Sequence, residues 1–257
     1  MDLGLTDKVV LVAGSSRGIG LATAEAFLAE GALVAISGRD SDVLQNAHEQ
    51  LQAAHPDRVI ALAGDLTTRE GTEKSVGQVA DAWHHPDVVV ANIGDGAVQP
   101  GWDVTDEDWE AALNTNFLGA MRLVRAALPS MVERGSGAIT LVSSIAGRES
   151  IGAPLTYAST KSALFAAVGS IARQVGERSV RVNAVAPGNV LFEGGVWDRK
   201  LEDDKDRWMT YVKQEVPLQR FGRAEEIADA LVFLSSDRSS FVTGEVLVVD
   251  GGQTRSM

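Results

Sequence analysis

Short runs of valine, isoleucine, leucine and alanine recur along the chain at residues 8–13, 33–37, 58–63, 87–91, 138–143, 180–186 and 245–249. Apolar residues in these runs are nearly continuous, without polar alternation, as in strands covered on both faces of a parallel sheet. The stretches between them read as helices, at residues 18–30, 42–54, 109–134, 155–177 and 223–236. This alternation of strand and helix predicts right-handed crossovers and an α/β fold, a doubly wound sheet of seven parallel strands with helices on both faces. One segment breaks the rhythm. Residues 188–217, between a strand and a helix, mix charge with several aromatics, and an irregular insertion of that length reads as a functional lid or a flexible segment. No linker-like boundary and no internal repeat is visible, so residues 1–257 read as a single domain carrying a substrate lid at about 188–217.

Composition narrows the class of partner. With 45% hydrophobic and 23% charged residues, the chain has the make-up of a globular protein with a sizeable core. A net charge of −12 argues against nucleic acid or an anionic membrane surface, both of which need a basic footprint. The absence of cysteine excludes disulfides, thiolate metal sites and cysteine nucleophiles, and no metal site is expected. The opening MDLGLTDKVV has no basic stretch followed by a long apolar one, and no apolar run approaches the roughly 20 residues that span a bilayer. A soluble, cytoplasmic protein is expected.

The first strand leads into AGSSRGIGLATAEAF, where Gly14, Gly18 and Gly20 stand between a strand and a helix. Glycines there allow a tight turn and close approach of the backbone to a pyrophosphate, whose charge meets the N-terminus of the helix. Ser16, Arg17 and Ile19 belong to the same turn. An NAD site usually ends its second strand in an acidic residue that takes the ribose hydroxyls. Here the strand ends LVAISGRD, with Gly38 at that position and Arg39 beside it. Arg17 and Arg39 suit a 2′-phosphate, which guanidinium binds in a charge-assisted, bidentate way. NADPH or NADP+ is therefore expected, in preference to NADH, with Asp40 free to cap the following helix.

The stretch TYASTKSALFAAVGS holds one of the chain's two tyrosines, Tyr157, four positions before Lys161. Residues so spaced share a helix face, about 6 Å apart along the axis. A nearby ammonium favours the phenolate and is expected to lower the tyrosine pKa from about 10 toward neutrality, where a general acid/base works best. The small residues around the pair leave room for ligands.

Taken in order and spacing, these features resemble the short-chain dehydrogenase/reductase family over essentially the whole chain, and within it the 3-oxoacyl-thioester reductases. The glycine turn, the Y-x-x-x-K pair, Ser144 in LVSSIAG thirteen residues before the tyrosine, Asn116 in NTNFLGAM, Asp65 in GDL, VNAVAPG and the terminal VTGEVLVVDGG all match. The resemblance implies a single-domain Rossmann fold and an enzyme that moves a hydride between a nicotinamide and a ketone or secondary alcohol. It implies that Tyr157 is the general acid/base and that Lys161 tunes it and binds the nicotinamide ribose. Ser144 would hold the substrate oxygen, and Asn116 a water relaying protons from Lys161. It places Asp65 and Leu66 at the adenine, and Asn92, Gly94, Pro187, Gly188 and Val190 along the rest of the cofactor. The resemblance also implies that the two long helices pair with symmetry mates in a homotetramer. Three motifs depart from the pattern: N-N-A-G reads Ala91-Asn92-Ile93-Gly94, Ala13 stands where a threonine often precedes the first glycine, and Phe192 stands where P-G-x-x-x-T has threonine.

Two other readings stay open: an NAD-dependent alcohol dehydrogenase of the same family, and a non-catalytic dinucleotide-sensing regulator. A regulator would have no need of Ser144, Tyr157 and Lys161 together. For the substrate, Trp102 and the lid's Phe192, Trp197, Trp208 and Tyr211 offer aromatic walls to an apolar or aromatic ketone, or else pack the lid against its own body. A 3-oxoacyl thioester fits the resemblance equally.

Overall fold

The computed structural model of the chain describes residues 2–96 and 99–256. Its strands are β1 (Val9–Ala13), β2 (Leu33–Gly38), β3 (Val59–Ala63), β4 (Val88–Ala91), β5 (Gly137–Val142), β6 (Val180–Pro187), the short β7 (Val190–Leu191) and β8 (Gly222–Arg223), and β9 (Val246–Val249). The helices are α1 (Gly18–Ala29), α2 (Ser41–Ala54), α3 (Arg69–Ala82), α4 (Asp106–Leu113), α5 (Gly119–Arg134), α6 (Leu155–Val175), α7 (Val196–Asp203), α8 (Lys205–Glu215) and α9 (Ala224–Ser235). Seven strands form one parallel sheet in the order β3-β2-β1-β4-β5-β6-β9, and β7 pairs only with β8. The chain has the doubly wound Rossmann fold, with helices on both faces.

Strand β1 explains why the apolar runs lack alternation. Val9, Leu11 and Ala13 enter a core on one face with Val76 of α3, Leu123 of α5 and Leu164 of α6. Val10 and Val12 enter a core on the other face with Phe27 of α1, Leu44 of α2 and Ile227 of α9. Both pleats are covered, so neither can be polar, and each large side chain buried contributes about 1.5–3 kcal/mol.

The strands lie within a residue or so of their expected bounds, and the helices differ in instructive ways. Helix α3 is not foreshadowed by a clear apolar stripe, because two of its four buried residues are the hydroxyl-bearing Thr72 and Ser75. The helix expected at 109–134 begins earlier, at Asp106, where Thr105 and Asp108 form a capping box. It also widens into a π-turn at Asn114–Leu118, a run of poor helix formers, before continuing as α5. Asp40 caps α2, its Oδ1 accepting from the amides of Asp42 and Val43, both at 3.1 Å.

Residues 188–217 are not irregular. They hold α7 and α8, joined where the Asp204 side chain caps α8 by accepting from the Arg207 amide at 3.0 Å. Val212, Val216 and Phe221 give this segment its own small core. Trp197 stacks on Tyr211 with centroids 5.6 Å apart and planes 16° from parallel, and Trp208 meets both edge-on. Gln253 ties the segment to the sheet: its Nε2 donates to the Tyr211 hydroxyl at 3.1 Å, and its Oε1 accepts from Asn189 Nδ2 at 2.8 Å. Asn189 and Gln253 are both buried.

Candidate active site

Strand order reverses between β1 and β4, and ligands of such sheets bind in the crevice outside the strand ends at that point. A cleft of about 470 Å3 opens there. Six of the seven strands of the sheet deliver residues to it as they end: Gly14 after β1, Gly38 at the end of β2 and Arg39 beyond it, Asp65 and Leu66 after β3, Asn92 and Gly94 after β4. From the other half come Ser144 after β5, Pro187, Gly188 and Val190 at the end of β6 and just beyond, and Tyr157 and Lys161 from α6. Ser16, Arg17 and Ile19 line it from the glycine turn.

The glycine turn is built as a dinucleotide cradle requires. Gly14 has a left-handed φ of +66°, and a Cβ on it would sit 2.5 Å from the Asn92 carbonyl oxygen. A Cβ on Gly20 would collide with the Gly14 carbonyl oxygen, so α1 starts hard against the end of β1. The Gly14 amide donates to Ser37 Oγ at 3.1 Å, and Asn92 Nδ2 donates to the Gly14 carbonyl at 2.8 Å. No side chain caps α1, which leaves its first amides to an anion. Gly18 and Gly20 lie behind the cleft wall. The Phe192 ring occupies the space over Gly18, 2.6 Å from where a Cβ would stand. The residue replacing the family threonine therefore roofs the turn.

At the rim, Arg17 and Arg39 are exposed and face the cleft. Burial raises the Asp65 carboxyl, but the amide and hydroxyl of Thr67, at 2.9 and 2.7 Å, with the charges of Arg39 and Arg122, hold its pKa below the ordinary value. Arg39 is thus close enough to Asp65 for their charges to interact.

Deeper in, the catalytic candidates converge. Lys161 is buried, and its Nζ donates to the Val142 carbonyl at 2.9 Å. The π-turn aims Asn116, which is fully buried, at the end of β4; its Oδ1 accepts from the Asp95 amide at 2.9 Å. Its Nδ2 is buried with no hydrogen-bond partner among the described residues, an orphan donor that fits a ligand or water in the site. Gly94 makes the convergence possible: a Cβ there would lie 2.9 Å from both Asn116 Oδ1 and Lys161 Nζ. Ser144 Oγ accepts from the Ala146 amide at 3.1 Å and bonds Tyr157.

The electrostatics correct one expectation. Burial pushes the Tyr157 phenol above its ordinary pKa of 10.0; the Ser144 hydrogen bond pulls down, and the nearby Asp95 carboxylate pushes up. Lys161 does not lower it. Its Nζ is 5.8 Å from the ring centroid and turned to the Val142 carbonyl, and burial brings its own pKa down to about 8. In the bare cleft the phenol is an acid at neutral pH.

Among the aromatics, Phe192 and Trp197 reach the cleft, whereas Trp208 and Tyr211 pack within the segment of α7 and α8. Trp102 is 85% exposed. Asp95 and Arg199, which the motifs do not single out, also line the cleft. Asp95 had a signal, being the charged residue that directly follows Asn92-Ile93-Gly94; Arg199 had none, since α7 alone brings it there.

Comparison with known proteins bears on this geometry. A family model described as enoyl-(acyl carrier protein) reductase matches residues 13–254. A 3-oxoacyl-[acyl-carrier-protein] reductase of Thermotoga maritima is 32% identical over 248 residues, covering 96% of this chain and 98% of its own. The chain belongs to the short-chain dehydrogenase/reductase family. An NAD-dependent glycerol dehydrogenase of Listeria innocua is 29% identical, over 98% of this chain and 96% of its own. Among solved structures, the L-sorbose reductase of Gluconobacter frateurii, complexed with NADPH and L-sorbose, superposes with a TM-score of 0.93 at 33% identity over the full length of both chains. As a short-chain dehydrogenase/reductase the chain is an oxidoreductase of alcohol and ketone groups, from a family whose members use NAD or NADP. Among the described residues, no helix is long and apolar enough to cross a membrane.

Proposed function

We propose that this protein is an NADP(H)-dependent oxidoreductase acting on a ketone or secondary alcohol, with Tyr157 as its general acid/base. The observation that carries the proposal is that Ser144, Tyr157 and Lys161 line one dinucleotide-sized cleft, with Asn116 meeting Lys161 at Gly94 behind it. The bound nicotinamide supplies the hydride in reduction and takes it in oxidation. Tyr157, protonated at neutral pH, gives its proton to the carbonyl oxygen, and Ser144 Oγ donates a hydrogen bond to the same oxygen as charge develops on it. The Lys161 ammonium can restore the proton through a water, and the orphaned Asn116 Nδ2 is a donor that can hold that water.

Gly14, Ser16, Ile19 and the uncapped start of α1 would hold the pyrophosphate, with Gly18 and Gly20 shaping the turn. Arg17 and Arg39 would hold a 2′-phosphate; Asp65 and Leu66, the adenine; Asn92, Gly94, Pro187, Gly188 and Val190, the remainder. The proposal extends to a single catalytic domain with α7 and α8 as its lid, and to a homotetramer. Leu113, Leu118 and Leu155, on α4, the π-turn and α6, are 38–41% exposed, apolar surface that self-association would cover; a light-scattering mass near 27.2 kDa would refute the tetramer.

The test is turnover of ketones with NADPH and NADH by wild type and Tyr157→Phe. NADPH should be preferred, and the variant should lose about 10²- to 10⁴-fold in kcat while binding NADPH within a few-fold of wild type. A variant keeping more than about a tenth of wild-type turnover would remove Tyr157 from its role.

A further inference from the structure

The substrate end of the cleft carries a charged side chain, Asp95, that the hydride-transfer chemistry does not use. Asp95 follows the Gly94 that presses on Lys161 and Asn116, and its amide is fixed by Asn116 Oδ1 at 2.9 Å. Gly96 follows it, and a Cβ there would lie 4.0 Å from Tyr157 Cε2 and 3.5 Å from Val196 Cγ2. Asp95 is therefore held between two glycines that lie against the catalytic residues. It is exposed and lines the cleft beside Tyr157. The proximity has an electrostatic trace: its charge is one of the causes that raise the Tyr157 pKa. Helix α7 supplies the same cleft with the Trp197 ring, backed by Tyr211, while its Arg199 donates to the Gly194 carbonyl at 2.7 Å, beside Arg17.

These groups constrain what can sit over Tyr157. An anionic substrate would be brought against Asp95. An apolar ketone would strip water from that charge and return no hydrogen bond, which costs more than the burial of its few carbons recovers. A neutral molecule bearing several hydroxyls satisfies it: a hydroxyl donates to the carboxylate, while the carbon–hydrogen face rests on Trp197. A carboxylate offers about four lone-pair sites, so Asp95 can accept from a substrate hydroxyl in addition to the partner it has.

Building on the reading of this cleft as a carbonyl-reducing site, we propose that Asp95 is a specificity-determining residue that selects neutral polyhydroxylated substrates, ketoses and the matching polyols, over apolar ketones and over oxo acids. The orientation of such a substrate follows, with a hydroxyl near the reacting carbonyl bonded to Asp95.

The experiment measures kcat/KM with NADPH for the 2-ketohexoses fructose, sorbose, tagatose and psicose, for 2-hexanone and for acetoacetate, in wild type, Asp95→Asn and Asp95→Leu. Wild type should favour at least one ketohexose over both other probes. In Asp95→Leu the ratio of that ketohexose to 2-hexanone should fall about 10- to 100-fold, the loss of a hydrogen bond to a charged group. Asp95→Asn, whose amide oxygen still accepts, should fall between. A merely structural role, exerted through Asn116, would lower both substrates together and leave the ratio within about threefold; that result overturns the proposal, as does a wild type that prefers 2-hexanone or acetoacetate. If no carbonyl is reduced at all, the catalytic reading fails by itself. Dissociation constants of the same ketohexoses and of 2-hexanone on the NADPH-loaded protein, from ligand-observed NMR, then decide Asp95's preference by the same ratio and the same threshold.

Discussion

Gly94→Ala separates the geometry of the site from the stability of the fold. The backbone at Gly94 is not left-handed, so alanine brings no conformational strain there. Its one added carbon would stand 2.9 Å from Asn116 Oδ1 and 2.9 Å from Lys161 Nζ. Ordinary contact for a Cβ begins about half an ångström further out, so both polar groups must retreat by roughly that amount. Lys161 Nζ ends a flexible side chain and can swing away cheaply. Overpacking here should therefore sit at the bottom of its usual range, about 1 kcal/mol, which lowers Tm by about 2–4 °C in a chain of this size. Catalysis has less tolerance, because constellations of this kind must hold within about 0.5 Å and a misplacement of about 1 Å can cost 10²-fold. The expected outcome is a drop in kcat of about 10- to 100-fold with the fold almost untouched. Steady-state turnover and a thermal melt on one preparation give both numbers. A variant with kcat within twofold of wild type would show that Lys161 and Asn116 do not need the space that Gly94 leaves, and would refute the reasoning.

Two further predictions follow from the charges. Arg39→Ala should weaken NADPH about 10- to 100-fold in a fluorescence titration, the worth of a charge-assisted bond, and leave NADH nearly unchanged; equal affinity of wild type and variant for NADPH would end the 2′-phosphate assignment. Lys161, with a folded pKa of about 8 against an ordinary 10.5, releases a proton on folding between those values, so stability should rise with pH from about 8 toward 10, where titration of Tyr157 begins to oppose it. Lys161→Met should flatten that rise, worth at most about 1.4 kcal/mol per pH unit, in denaturation curves of the ligand-free protein; identical slopes would contradict the lowered pKa.

What could be read from the sequence was what repeats or what chemistry spells locally. Seven unalternated apolar runs specify seven strands, because burial on both faces leaves no other pattern, and Gly14, Tyr157 and Lys161 stand at spacings that local geometry interprets directly. Reading failed where tertiary contact decides. Helix α3 turns threonine and serine inward, which erases its stripe. The i,i+4 spacing of Tyr157 and Lys161 gave their proximity correctly but not their electrostatics, because the carbonyl of Val142, far away in sequence, turns the ammonium aside and burial raises the phenol. The lid helices are held by an aromatic cluster and by Gln253, a residue from the far end of the chain with no periodic signature.

That last connection bears on how the substrate wall behaves mechanically. The face of Trp197 lies on Tyr211, the Tyr211 hydroxyl is held by Gln253, and Gln253 holds Asn189, one residue past Gly188 in the loop that borders the cofactor cleft. To swing Trp197 outward alone would break its stacking; to move it with Tyr211 would strand the buried amide of Gln253, at a cost of about 1–3 kcal/mol. The wall and the cofactor loop are thus riveted into one plate. Such a plate presents a shape set before any molecule enters the cleft, and a lid built from it has to move as a whole.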